Sequence, residues 1–288
     1  MLIIDAFPFY NEYDLLYYRL SILNDTVDYF ILVEATRTYT GNEKTLFYND
    51  VKNTPRFAPF SHKIIHIIND QLEKKPFVPL NQLSSFDNKF WKNEILQRNS
   101  IAEGITQLGD KITPDDVIVI SDLDEIPNRL IFRSLKEVGD FTKATGGFPI
   151  VSLDMDVYYY NLTCKKENEE WIFPKIMTLS FYHKIGTPQN ARMFHNNNAK
   201  NGLLGIMKNA GWHLSYFGEP EQIQNKIMSF SHQEFNNDKY TNLEYIKEKV
   251  ENKECIFNRH FDKITYIPIS SNNRLPFEYE TYLAKYII

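Results

Sequence analysis

The chain has 288 residues, 43% of them hydrophobic and 15% aromatic, which is ample for a large core and excludes a disordered chain. A formal charge of −5 removes the basic face that nucleic acid needs, while leaving room for a small anion held by a metal ion and one or two cationic side chains. No window reaches the ~20 apolar residues of a transmembrane helix, and the two cysteines, Cys164 and Cys255, stand outside any metal-ligand spacing. Residues 1–9 read as a short strand, and Asp14 to Leu23 carries Leu15, Leu16, Leu20, Ile22 and Leu23 at helical spacing. DYFILVEA (28–35) and HKIIHIIN (62–69) are apolar, β-branched runs that predict buried strands. Asp87 can cap a long helix with Trp91, Ile95, Arg98, Ala102 and Ile105 on one face, closing near Gly109. DVIVI (116–120) is too short for a helix and apolar throughout, a strand covered on both faces; it runs into Ser-Asp-Leu-Asp-Glu, and Pro127 suits the start of a new helix.

This alternation predicts an α/β fold, a Rossmann-like sandwich with one largely parallel sheet flanked by helices. After Gly146 the texture turns to aromatic strands, GFPIVSLDMDVYYYNL and WIFPKIMTLSFYHK, so the second half is expected to be more α+β. The Asn- and Gly-rich stretch from Ile185 to Gly211, with Asn196, Asn197 and Asn198, reads as a mobile loop able to act as a lid. Helical patterns return over 219–230 and 240–250. A single domain, 1–288, is expected. The opening MLIIDAFPFYNEYD carries Asp5 and no long apolar run, so it fails as a signal peptide. The expectation is a soluble, cytoplasmic protein, with peripheral contact to a membrane surface left open.

The chemistry centres on Asp122 and Asp124. They alternate along an extended backbone at a strand end, so their side chains are expected to project to the same side, close enough to share one cation. Two unpaired carboxylates there would repel each other, a cost that a divalent ion removes. Few carboxylates and hard oxygens suit Mg²⁺ or Mn²⁺, which keep positions open for the phosphate oxygens of a nucleotide diphosphate. The bland reading is a solvated acidic turn in which Asp124 or Glu125 caps the next helix. The apolar strand before the pair favours the metal reading, because α/β sheets bind ligands outside the carboxyl ends of strands. Arg98, four residues after Glu94, shares the apolar face of the long helix and needs an anionic partner, either Glu94 or a bound diphosphate.

FPFYNEYDLLYYRL, DYFILVEATRTYTG, WKNEILQRNSI, VISDLDEIPN, AGWHLSYFG and KIMSFSHQE occur in order along most of the sequence. Together they make the chain resemble glycosyltransferase family 17. The resemblance implies a GT-A type fold, a nucleotide-sugar donor, a divalent metal and inversion at the anomeric carbon, with GlcNAc passing from UDP-GlcNAc to a glycan acceptor in β linkage. Residues 1–145 would then form the nucleotide-sugar half and 146–288 the acceptor half. Asp124 becomes the direct metal ligand, and Asp122 faces ribose or metal-bound water.

The same resemblance distributes further roles. His213 in GWH and His232 in SHQE are candidates for an additional metal ligand, against the reading of each as a structural histidine. Pro8, Asn11 and Glu12 close the first strand, where GT-A proteins meet base and ribose, and Glu34 and Arg37 end the next strand similarly. Inverting transfer needs a carboxylate to take the acceptor proton. Glu219 at a helix start and Glu234 beside His232 are the candidates, helix capping being the alternative for Glu219; Asp154 and Asp156 are weaker contenders. Trp212 is either core or a sugar platform. Rival functions are a nucleotide-sugar hydrolase or nucleotidyltransferase using the same carboxylates, and a catalytically silent sugar-binding protein of the same fold. No P-loop or GxGxxG fingerprint is present.

Overall fold

Every residue of the first strand, β1 (Ile3–Phe9), is buried. Ile3, Phe7 and Phe9 belong to one apolar cluster and Ile4 and Ala6 to a second, because alternate side chains leave opposite faces of a strand. β2 (Tyr29–Ala35) and β4 (Val117–Ile120) flank β1 in parallel, and β3 (Ile64–Asn69) pairs in parallel with β2. β6 (Ile150–Leu153), β9 (Lys175–Thr178) and β10 (Leu204–Met207) complete a seven-stranded sheet in the order β10-β6-β9-β4-β1-β2-β3. β9 runs antiparallel to both neighbours, so the sheet is mixed. The computed structural model describes residues 1–74, 89–195, 202–258 and 263–287.

The α/β class is as predicted, but the single continuous sheet is not. β5 (Glu125–Pro127), β7 (Met155–Tyr159), β8 (Cys164–Trp171), β11 (Gly211–Ser215) and β12 (Ile264–Tyr266) form a second sheet, ordered β12-β8-β7-β11-β5. The chain crosses from the first sheet to the second at residues 121–124, between β4 and β5, and again at Asp154, between β6 and β7. The predicted acid motif is the first of these crossings.

Other expectations shift for local reasons. The long helix is two helices, Lys89–Asn99 and Ile101–Leu108, parted at Ser100. There Asn69 Nδ2 donates to the Leu96 carbonyl at 3.2 Å and to Ser100 Oγ at 2.7 Å. A side chain inserted into the helical ladder is a recognised cause of such breaks. The predicted cap Asp87 lies outside the described residues. Pro127 ends β5 rather than opening a helix; Asn128 caps helix Arg129–Val138, its Oδ1 accepting the Leu130 N–H at 2.9 Å. LSFYHK is helix, within Leu179–Ile185, capped by Thr178. Between residues 185 and 211, helix Pro188–Arg192 forms behind a Thr187 cap and a first-turn proline, and β10 follows. Asn196 to Asn198 lie outside the described residues. Helices Pro220–Ser229 and Leu243–Glu251 fall where the sequence placed them. Among the described residues no helix is long and apolar enough to cross a membrane.

Helix Tyr13–Leu23 covers one face of the first sheet with Leu15, Leu16, Leu20 and Leu23, and among them lies Arg19, fully buried. Its Nε and Nη2 grip both oxygens of the equally buried Asp5, at 2.8 and 2.6 Å, and its guanidinium lies 4.4 Å from the Phe7 ring centroid. Removing one partner of a buried pair strands the other charge, which typically costs about 3–5 kcal/mol. Arg19→Met is therefore expected to lower stability by about that amount in urea denaturation, and adding Asp5→Leu to recover part of the loss.

Lys175, in β9, is also fully buried, but it has carbonyls for partners: its Nζ donates to Ile172 and, at 2.9 Å, to Phe173. Burial, and then the nearby Arg192, push its ammonium down from 10.5 to about 7, against the pull of Glu125. Below about pH 7 both folded and unfolded chains carry the proton, and the folded state bears the full charging cost. Between 7 and 10.5 only the unfolded chain binds it, so this residue's contribution to stability rises with pH. Lys175→Met should raise the urea midpoint most at pH 6, with the gain over the parent shrinking toward pH 10.

Candidate active site

Leu123 and Asp124 occupy a turn between β4 and β5, rather than the extended alternation the spacing suggests. Arg19 reaches this turn from beneath. Its Nη1 donates to the carbonyls of Asp122, Leu123 and Glu125 at 2.8, 3.1 and 3.0 Å, and Nη2 to Ser121 Oγ at 2.6 Å. With the backbone carbonyls drawn inward, Asp122 and Asp124 both line a cavity of about 420 Å³. The turn and its arginine, not strand alternation, set the acids side by side.

Neither acid is unpaired. Asp122 Oδ1 accepts from Arg98 Nη2 at 3.1 Å, and Oδ2 lies 2.8 Å from Arg192 Nη2. Burial alone would raise the Asp122 carboxyl, but Arg192 and then Arg98 bring it below its ordinary value. Asp124 Oδ2 accepts from Lys226 Nζ at 2.8 Å, with His213 Nε2 3.7 Å from Oδ1. Burial again opposes, and Lys226 followed by His213 holds the group well below the usual carboxylate range. In return, burial would lower the Arg98 guanidinium, yet Asp122 and Glu94 raise it; Asp124 and Glu12 do the same for Lys226. Behind the turn, fully buried Glu125 receives Arg192 in a two-pronged bond at 2.7 and 2.8 Å, the Trp171 indole N–H at 2.8 Å and the Asp122 N–H at 2.6 Å.

These partners arrive from separate elements. Helix Lys89–Asn99 brings Glu94 and Arg98, helix Pro188–Arg192 brings Arg192, β11 brings His213 and helix Pro220–Ser229 brings Lys226. β11 lies close on β5 because Gly211 has no side chain: a Cβ there would fall 2.2 Å from the Ile126 carbonyl oxygen. Aromatic rings form the walls. Trp171 stacks on His213 at 4.1 Å between centroids, Phe173 sits 5.4 Å from the Arg192 guanidinium, and Trp91 meets His232 edge-on at 4.8 Å. Such rings offer flat apolar faces beside charged groups, suited to a sugar or a base.

Of the residues singled out from sequence, Pro8, Glu12, Arg37, Arg98, Asp122, Asp124, His213 and His232 line the cavity. Others do not. Asn11 lines a separate small cleft. Glu34 is fully buried and structural: it accepts the N–H groups of Phe47 and, at 3.1 Å, Tyr48 at a helix start, pairs with Lys44 at 3.0 Å and lies 3.3 Å from His66 Nε2. Glu219 caps helix Pro220–Ser229 in a reciprocal box with Gln222, so the capping alternative describes it. Glu234 is half-exposed at 2.7 Å from His232 Nδ1, and His232 takes its contacts from Glu234, Trp91, Phe230 and Phe235, not from the acids. Arg37 is held by Glu43 at 2.8 Å. Glu94 is the anionic partner of Arg98 at 2.7 Å, and the buried Arg98 serves Glu94 and Asp122 together. Trp212 is core, its N–H bonded to the Arg274 carbonyl at 2.7 Å and its ring set on Phe277. Asp154 and Asp156 line a separate polar cleft with Lys165 and Arg274.

Sequence reading missed Arg19, Trp171, Arg192 and Lys226. Arg19 had a signal, a cation amid the leucines of an apolar helix face. Among the described residues, no group of three or more His, Cys, Asp or Glu gathers closely enough to hold a metal ion. Asp124 and His213 offer one oxygen and one nitrogen, so further positions would have to come from a ligand's own oxygens.

Against this geometry stand the similarities to known proteins. The chain is 25% identical over 256 residues to the rat beta-1,4-mannosyl-glycoprotein 4-beta-N-acetylglucosaminyltransferase, covering 81% of this chain and 43% of the rat protein. The human and mouse proteins of that name match at 25% identity, with 44% and 43% of their lengths covered. The chain thus spans under half the length of these relatives. The profile of glycosyltransferase family 17 matches residues 2–274, which takes in both sheets and every residue of the cavity, and the chain belongs to that family.

Proposed function

We propose that the chain is a metal-dependent, inverting glycosyltransferase of GT-A type that moves GlcNAc from UDP-GlcNAc onto a glycan acceptor in β linkage. One observation carries the reading: Asp122 and Asp124 open side by side into an aromatic-walled cavity that also presents Arg98, Arg192 and Lys226. Those cations suit diphosphate oxygens, which charge-assisted donors bind well. The named activity of the rat, human and mouse relatives supplies the donor sugar and the linkage. Mn²⁺, or Mg²⁺, bound by Asp124 with His213 and completed by phosphate oxygens, would neutralise charge on the departing diphosphate.

The chain's own groups have distinct tasks. Asp122, braced by two arginines, faces the ribose, and Arg98 and Arg192 add positive charge where the leaving group gathers negative charge. Residues 1–145 hold the donor and 146–288 the acceptor, with Arg192, His213 and Lys226 reaching across to the donor side. Glu219 and Glu234, both outside the cavity, give up the role of base. Glu169 replaces them: on β8 and paired with Lys166 of the same strand, it lines both the cavity and the neighbouring polar cleft, where an acceptor can approach. The acceptor hydroxyl proton passes to Glu169 as the new C1–O bond forms and the bond from C1 to the diphosphate oxygen breaks.

Incubation with UDP-GlcNAc, Mn²⁺ and acceptor glycans is expected to give coupled product and UDP; free GlcNAc alone would replace this reading with a hydrolase. Asp124→Ala should lower kcat/KM by about 100-fold or more, the scale of losing one preorganised charge contact. Glu169→Gln should lower kcat by about 10²–10⁴-fold, as loss of a general base does, with UDP affinity unchanged. Glu219→Gln and Glu234→Gln should leave kcat within a few-fold, and a large loss in either would return the base to that position.

A further inference from the structure

Asp124 has both oxygens engaged from the second half of the chain, Oδ2 by Lys226 at 2.8 Å and Oδ1 by His213 at 3.7 Å. Lys226 Nζ also lies 3.6 Å from Glu12 Oε1 and 5.6 Å from the Tyr216 ring centroid. Its backbone is fixed, because helix Pro220–Ser229 is boxed at its start and seated on buried Ile223 and Ile227. The side chain is 25% exposed and lines the cavity, so the four-carbon stem can swing where the helix cannot. We propose that Lys226 is a built-in cation that competes with a divalent metal for Asp124, so that the metal enters only with an anionic ligand that gives the ammonium a new partner.

The electrostatics favour this order. With Lys226 in place Asp124 is already neutralised, and a dication brought to the same carboxylate meets a fixed positive charge. At such short range in a partly buried site, repulsion between like charges is only weakly screened and opposes entry of the dication. A diphosphate reverses the balance: its oxygens accept the ammonium, Asp124 is released to the metal, and Glu12 remains within reach of the displaced lysine. The identity of the anion rests on the glycosyltransferase reading; the competition at Asp124 does not.

Titration of the full chain with Mn²⁺ alone, followed by the paramagnetic resonance of free Mn²⁺, tests the competition without donor or turnover. The parent should bind weakly. Lys226→Met and Lys226→Gln should each bind Mn²⁺ at least 10-fold more tightly, and Lys226→Arg, which keeps the charge, should stay near the parent. Adding Asp124→Asn to Lys226→Met should abolish the gain. Calorimetry with UDP in the absence of metal should show at least 10-fold weaker binding in Lys226→Met than in the parent. Two uncharged variants guard against one failing to fold, which circular dichroism reports. Mn²⁺ affinity within twofold of the parent in the folded uncharged variants would overturn the proposal. If the Mn²⁺ gain is present but no variant binds UDP under any condition, the competition stands and the nucleotide-sugar reading falls.

Discussion

The site depends on one buried cation. Arg19 sits in an apolar layer, balanced by Asp5 from the strand beside it, and spends its remaining donors on the turn that carries the two acids. In that turn the Asp124 carbonyl takes the Leu214 N–H at 2.8 Å and the Asp122 carbonyl the Glu125 N–H at 3.1 Å, and Arg19 supplies further donors to the carbonyls of Asp122, Leu123 and Glu125, since buried carbonyls left unbonded cost free energy. A guanidinium, with five N–H groups in a rigid fork, can satisfy several at once, where a lysine would offer a point charge. Asp5 makes the arrangement tolerable, since the arginine would otherwise be an uncompensated charge in the core. Shape and charge at the turn are therefore set together, by a pair that never touches the cavity.

Above the turn the same logic repeats with opposite sign. The two motif acids are matched by cations from other elements, Asp122 by Arg98 and Arg192 and Asp124 by Lys226, while Glu94 is matched by Arg98 of its own helix. These pairs keep the carboxylates charged against burial and hold guanidinium and ammonium groups at the cavity wall. On the proposed function, an anion entering the cavity meets Arg98 and Arg192 already oriented, so little reorganisation of these two is needed when charge moves toward the leaving group. The cost is that bare acids are not on offer to a bare metal ion.

How much of this could be read in the sequence follows from the range of the interactions. The apolar runs of β1, β2, β3 and β4, the helix after β1 and the motif Ser-Asp-Leu-Asp-Glu are local patterns, and they place the acids at the end of a buried strand. The second sheet was not legible, because β5 is three residues long and its partner β11 lies far along the chain. Without that sheet, Pro127 looks like a helix start and the acids look extended. Glu219 and Glu234 were attractive as bases because they flank recognisable blocks, yet a capping box and a neighbouring histidine take them up, and sequence cannot tell a capped carboxylate from a free one. Arg192 and Lys226 gave no local signal, since the acids they pair with at the site lie 67 or more residues away. The Asn-rich segment misled for a related reason: its composition suggests a loop, but Thr187 and Pro188 start a helix whose last residue anchors the site.

That helix also decides which side of the cavity can yield. Glu125 is fully buried, and Arg192 supplies its cation through two hydrogen bonds. Moving helix Pro188–Arg192 outward would strand a carboxylate in the core, so the side of the cavity that braces Asp122 is rigid for the same reason it is charged. Lys226 differs, being partly exposed, on a flexible stem, and serving a carboxylate that itself faces the cavity. Its departure from Asp124 leaves nothing buried unpaired once a cation and an anion have come in. The asymmetry assigns the two halves of the acid pair different mechanical roles: Asp122 belongs to the fixed frame, and Asp124 to the part that exchanges partners.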